Sequence, residues 1–149
     1  LKLSPPLRLE DDRLSLVQGI KDGLIDVIVS DHLPEDEESK RLPFAQAATG
    51  AIGVETLLPL SLEMYHNDSL PLNKIVETLT INPAKILKIK KGTLTKGSDG
   101  DICIFDLEAP WKVVADKLKS KSKNTAIENR NLQGKILMTY LNGELVYSK

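Results

Sequence analysis

Asp31 is the sharpest chemical feature of this 149-residue sequence. It closes Leu24-Ile25-Asp26-Val27-Ile28-Val29-Ser30, a run rich in β-branched residues that reads as a buried strand of parallel type. Functional groups in parallel α/β architectures gather at the C-terminal ends of strands. A carboxylate there is out of place unless it is used. The plainer alternative is that Asp31 caps the following turn. His32 is its neighbour, and neighbours on an extended segment point to opposite sides, so His32 reads as a packing histidine. Ser4, ahead of Pro5 and Pro6, can present a hydroxyl to a ligand or simply satisfy a turn. No G-x-S-x-G elbow surrounds it, so it is not read as a nucleophile. Thr49-Gly50 and Gly53 lack the spacing of a dinucleotide loop or P-loop. They form a glycine loop ahead of a helix, which can offer backbone N–H groups to an anion or a polar ring. Cys103, inside Ile-Cys-Ile-Phe, reads as a small buried hydrophobe rather than a reactive thiol. His66 ends an apolar helix and reads as a surface histidine interacting with the helix dipole.

The elements that position these residues follow from local pattern. Pro5-Pro6 excludes helix at the start. Glu10, Asp11 and Asp12 suit a helix N-terminus, Leu14, Val17 and Ile20 give that helix an apolar face, and Gly23 suits its C′ position. The charged stretch from Glu35 to Arg41 reads as a loop. Helices are expected over Val54 to His66 and Leu72 to Leu79. Another should start at Asn82-Pro83, with Asn82 as N-cap. Short strands follow at Asp101 to Asp106, Trp111 to Val114, Lys135 to Leu141 and Glu144 to Tyr147. Asn142-Gly143 is a type I′ hairpin signal. The change of style places a boundary near residue 90, with an α/β part over 1–90 and a β-rich part over 91–149. The basic run from Lys117 to Lys123 lacks aromatics and reads as a solvated loop.

Composition narrows the class. The sequence has 20 Lys+Arg, 21 Asp+Glu and 41% hydrophobic residues. That is a globular profile, not a disordered one. The balanced charge argues against a nucleic-acid binder. No apolar run approaches the roughly 18 residues of a membrane span. A single Cys allows no internal disulfide and points to a reducing compartment, the cytoplasm. Neither of the two Met is first, so the sequence reads as a piece of something longer. Only two His are present, so a multi-histidine metal site cannot be complete within one copy.

Lys2-Leu3-Ser4-Pro5-Pro6-Leu7-Arg8, Asp22-Gly23 and Ile25 to His32 resemble the late barrel region of cyclic amidohydrolases. Lys40-Arg41-Leu42-Pro43-Phe44, Gly53 to Leu60, Leu79 to Ala84 and Ser120 to Thr125 are similar to dihydroorotases of the long, bacterial type. The resemblance implies the C-terminal part of an amidohydrolase (β/α)₈ barrel over 1–90 and part of a small β-sandwich over 91–149. It implies a zinc enzyme of pyrimidine biosynthesis that interconverts N-carbamoyl-aspartate and dihydroorotate. Asp31 matches the family's late-strand aspartate, a residue of the metal centre that shuttles a proton. Ser4 and Gly50 match substrate-site positions. Many relatives carry Asn at position 4 and His at position 35. A carboxylate at Glu35 would repel the substrate's own, so Glu35 should point away.

The family's His-x-His motif, its bridging residue and two later histidines are not in this sequence. A full barrel takes about 250 residues. The expectation is that this polypeptide alone is inactive, binds zinc weakly, and needs the missing N-terminal barrel portion or self-association to cover its open edge. A non-catalytic dihydroorotase-like partner of aspartate carbamoyltransferase is the alternative, as is an allantoinase or dihydropyrimidinase.

Overall fold

The structure, a computed structural model, describes residues 2–149. Helix α1 spans Glu10–Lys21. Its acidic first turn opposes the partial positive charge of the helix N-terminus, and Asp12 Oδ2 accepts the Leu9 amide at 3.1 Å. Gly23 follows the Asp22 C-cap, as the sequence pattern predicts. Val17 and Ile20 turn inward, while Leu14 stays exposed. The stretch from Glu35 to Arg41 is not all loop. Helix α2, Glu37–Arg41, forms because the Asp36 side chain accepts the Ser39 amide at 2.7 Å.

A 3₁₀ turn over Val54–Thr56 leads into α3, Leu57–His66. Pro59 is tolerated because it falls in the first turn, where its missing N–H has no intrahelical partner. Helix α4, Leu72–Leu79, matches its predicted bounds and buries Ile75 and Thr78. Helix α5, Ile81–Ile86, starts two residues earlier than expected, with Thr80 at the N-cap. Asn82 does not cap it. Its side-chain amide instead donates to the Asp26 carbonyl at 3.0 Å and ties the helix start to the chain before Asp31.

The apolar run Leu24 to Ser30 is not a strand of a sheet. Among the described residues it finds no ladder partner; Ile28 N–H donates to the Thr78 carbonyl at 3.2 Å. A strand exists only with a neighbour to exchange hydrogen bonds. Ile25 and Ile28 pack with Ile20, Leu70 and Ile75 against the helices. Leu24 and Val29 face outward, 80% and 71% exposed.

The last third is an antiparallel sheet in the order β1-β2-β3, with β1 Ile102–Lys112, β2 Asn131–Leu141 and β3 Glu144–Ser148. The two strands expected at Asp101 to Asp106 and Trp111 to Val114 are one strand interrupted by a bulge between Asp106 and Pro110. Asp106 Oδ1 holds that bulge by accepting the Glu108 and Ala109 amides at 3.0 and 3.1 Å. The β2–β3 hairpin turns on Asn142 and Gly143 at φ +52° and +83°, the signature of a type I′ turn. A second core joins both halves of the chain: Ile52 packs with Val113, Leu118 and Leu132. Arg130 also pairs with Glu63 of α3 at 2.8 Å.

Candidate active site

Three separate segments meet at one cavity of about 400 Å³: the N-terminal arm at Ser4, the turn at Asp31, and the loop at Gly50. All three residues singled out from the sequence line it. Asp31 stands exposed at the mouth with φ +42°. That left-handed conformation is uncommon for a residue with a Cβ, and such outliers cluster at functional sites. Ser4 is also exposed there, whereas Gly50 is buried in the wall.

Close approach of backbones builds the wall. Gly53 sits so near the Asp31 turn that a Cβ on it would lie 2.7 Å from the Ser30 carbonyl oxygen. Leu33 N–H donates to the Ala51 carbonyl at 2.9 Å, in a parallel bridge between His32 and Ala51. His32 does not line the cavity. Its Nδ1 accepts the amides of Gly53 at 3.0 Å and Val54 at 3.3 Å. It is a packing histidine with a specific task, which is to hold the end of the glycine loop beside Asp31. Both polar backbone atoms of Gly50 are also committed. Its N–H donates to the Lys2 carbonyl at 3.0 Å, and its carbonyl accepts from Lys40 Nζ and Asn124 Nδ2 at 2.8 and 3.2 Å. By its lack of a side chain Gly50 makes room for Leu33 against the glycine loop, and it leaves no spare N–H for a ligand.

Glu35 lies elsewhere. It lines a second cavity of about 640 Å³, with Lys40 and Asn124. Ser122 Oγ donates to its carbonyl at 2.5 Å. The run from Lys117 to Lys123 is therefore only partly solvated. Lys117, Lys119, Lys121 and Lys123 are exposed, but Leu118 is buried, and Ser122 and Asn124 turn inward. Sequence reasoning passed over Lys40 and Asn124 as binding-site supports, because polar residues in charged or loop-like stretches carry no local sign of the carbonyls they will meet.

Two further expectations need correction. Cys103 is exposed rather than buried, because its sheet face has no covering layer among the described residues. Partial desolvation still pushes its thiol up from the ordinary value, in keeping with an unreactive cysteine. His66 is not a free surface group. Its Nε2 is enclosed and finds no hydrogen-bond partner among the described residues, and its ring meets Tyr65 edge-on at 5.3 Å.

Asp31 is a suitable metal ligand, but it stands alone: among the described residues no three His, Cys, Asp or Glu side chains come together to hold an ion. Zinc sites draw three or four ligands from the protein, so the residues of this chain do not fit a complete zinc site. No helix among the described residues is long and apolar enough to cross a membrane.

The chain is 47% identical to the dihydroorotase of Ehrlichia chaffeensis over 146 residues, which is 98% of this chain and 33% of that protein. It is 43% identical to the dihydroorotase of Geobacter metallireducens over 148 residues, 99% of this chain and 35% of that protein. It thus spans about a third of the length of the curated relatives it matches. Among solved structures, L-hydantoinase (dihydropyrimidinase) from Arthrobacter aurescens superposes with a TM-score of 0.92 at 33% identity, over 99% of this chain and 34% of that one. Dihydropyrimidinase from Brevibacillus agri gives 0.93 at 24% identity, over 99% and 33%, a likeness of fold alone. The architecture is α/β, part of an amidohydrolase barrel with part of its β-rich companion. The amidohydrolase family model matches residues 3–146, and the chain belongs to that family.

Proposed function

We propose that this chain is the C-terminal third of a zinc-dependent dihydroorotase, which interconverts N-carbamoyl-L-aspartate and L-dihydroorotate by closing or opening a cyclic amide. The observation that carries the reading is identity along nearly the whole chain, higher with the dihydroorotases than with the L-hydantoinase. The cavity supports it by bringing Ser4, Asp31 and Gly50 together. In this reading residues 1–90 belong to the barrel and 91–149 to the sandwich. The rest of the barrel covers Leu24 and Val29.

Asp31 is the catalytic group. In the ring-opening direction its carboxylate takes at Oδ the proton of the attacking water and gives it to the amide nitrogen as the C–N bond breaks, a role that suits a solvent-accessible carboxylate at a cavity mouth. Ser4 contacts the substrate from the N-terminal arm, and the backbone of the glycine loop at Gly50 approaches the ring. Zinc is assigned to the complete enzyme, with Asp31 the one ligand this chain contributes. The substrate is a small molecule, and the site is cytoplasmic.

The test is turnover by the complete protein, wild type and Asp31→Asn, on dihydroorotate, hydantoin and allantoin. Wild type should consume dihydroorotate, and Asp31→Asn should lose roughly 10²- to 10⁴-fold in kcat. Preference for hydantoin or allantoin would move the chain to another branch of the family. No turnover of any of the three, with co-purification of aspartate carbamoyltransferase, would make it a non-catalytic partner.

A further inference from the structure

We propose that Lys40 and Asn124 are positioning residues for the Asp31 site, acting through the carbonyl of Gly50. The inference rests on the reading of the 400 Å³ cavity as the substrate site. Neither residue lines that cavity; both lie behind it, on the second one.

The Lys40 ammonium has three N–H donors and no acceptor. All three find carbonyls: Ala48 and Gly50 at 2.8 Å each, and Lys2 at 3.3 Å. Lys2 lies two residues before Ser4. Lys40 therefore fastens the Ser4 arm to the glycine loop. The Asn124 side chain does the same for the other wall. Its Nδ2 donates to Gly50 at 3.2 Å and Leu33 at 3.4 Å, while its Oδ1 accepts the Glu35 amide at 3.4 Å. Leu33 lies two residues after Asp31. The Asn124 carbonyl also accepts the Ile52 amide at 3.2 Å.

A carbonyl oxygen has two lone pairs, and those of Gly50 are filled by these two side chains. The Gly50 carbonyl thus joins the two side chains that reach all three walls, beside the direct bonds from Gly50 N–H to Lys2 and from Leu33 N–H to Ala51. Removing either donor leaves a partly buried acceptor short of a partner and loosens one wall, which then rests on its remaining backbone bond to the glycine loop. Misplacement of reacting groups by about 1 Å can cost a hundredfold in rate. Two contacts from residues 40 and 124, far apart in sequence, make the site depend on the β-rich part of the chain as well as on the barrel part.

The test uses the complete, metal-loaded enzyme with Lys40→Met, Asn124→Ala and the double variant. Each single variant should lower kcat roughly ten- to hundredfold, with a smaller rise in KM and an unchanged pH profile. The double variant should fall short of the product of the two losses, because both act on one acceptor. Amide hydrogen exchange of Leu33, Gly50 and Ile52 should speed up in every variant. Should Lys40→Met not fold, Asn124→Asp decides by the same readings, since it keeps the acceptor for Glu35 and loses both donors. Folded variants with kcat within twofold of wild type, or with unchanged exchange at those amides, would overturn the inference. If wild type itself turns over no cyclic amide, the dihydroorotase reading falls, and the exchange rates alone decide whether this clamp exists.

Discussion

His32 Nδ1 accepts the backbone amide of Gly53 at 3.0 Å, and this bond fixes the glycine loop beside the residue that carries the candidate catalytic carboxylate. The second acceptor bond, from Val54 at 3.3 Å, uses the same lone pair. Nδ1 must therefore be unprotonated, and any ring proton sits on Nε2. Replacing His32 by Ala strands two amides and is expected to destabilise the protein by about 1 kcal/mol or more. His32→Asn places a side-chain oxygen close to where Nδ1 was and should recover most of that loss. Urea unfolding of the two variants checks it. Equal losses for Ala and Asn would mean that the ring matters for its packing and not for Nδ1.

Gly50→Ala meets two obstacles at once. Its φ of +131° is one that residues with a Cβ rarely adopt. The new methyl would also lie 2.6 Å from Leu33 Cδ2. Together these should cost about 2 kcal/mol or more. Pairing the change with Leu33→Ala removes Cγ and Cδ2 but keeps Cβ, 2.7 Å from the new methyl, so it relieves part of the collision and leaves the backbone strain. The double variant should therefore be more stable than the sum of the two single losses implies, a coupling that a double-mutant cycle measures. Strict additivity would show that Leu33 simply moves aside.

How far these features were legible depends on the range of the interactions. Helix α1 announces itself through apolar spacing, an acidic first turn and the glycine after it, and α4 through apolar spacing, all of which are local. The Asn142-Gly143 hairpin is equally local. Asp31 was legible because a carboxylate ending an apolar run breaks a pattern. The Leu24 to Ser30 stretch misleads because strand character belongs to a pair of segments, and no partner is present among the described residues. Asn82 misleads because a capping residue can be captured by a distant carbonyl, here that of Asp26. Lys40 and Asn124 were silent for the same reason: their partners are set by tertiary structure, and polar residues in polar stretches look solvated whether or not they are.

The turn that closes the sheet should show a defined acid response. The Asn142 amide, and then the Lys91 ammonium at 2.5 Å, hold the Asp101 carboxyl below the usual carboxylate range. A carboxyl depressed in the folded state adds stability above its unfolded value, about 3.9, and that contribution is lost as pH falls through the folded value. Lys91 is raised, chiefly by Asp101 and then by Asp99, so its share persists through neutral pH and disappears only in strong alkali. Asp101→Asn keeps an acceptor for the Asn142 amide and removes the charge. The gap in melting temperature between wild type and Asp101→Asn should stay constant from about pH 5 to 9 and close below about pH 4. A gap that persists at pH 2 would assign the difference to packing.

The strongest separation between family and polypeptide concerns the metal. Asp31 presents one carboxylate to the cavity, and His32, its neighbour, spends Nδ1 on two backbone amides. His66 sits at the far end of α3 and does not line the cavity. A single carboxylate cannot match the three or four protein ligands that hold zinc. A ligand set that small gives little affinity over water, and metal affinity falls further when the partners are not preorganised. The 149-residue polypeptide alone, equilibrated with zinc and then desalted, is therefore expected to retain well under one equivalent. It is expected to turn over no dihydroorotate, and Asp31→Asn should leave its metal content unchanged. Elemental analysis of the desalted protein, run beside the turnover assay, decides the matter. One tightly held equivalent together with activity would require ligands from a second copy of the chain, and sedimentation of the zinc-loaded sample would show that assembly directly.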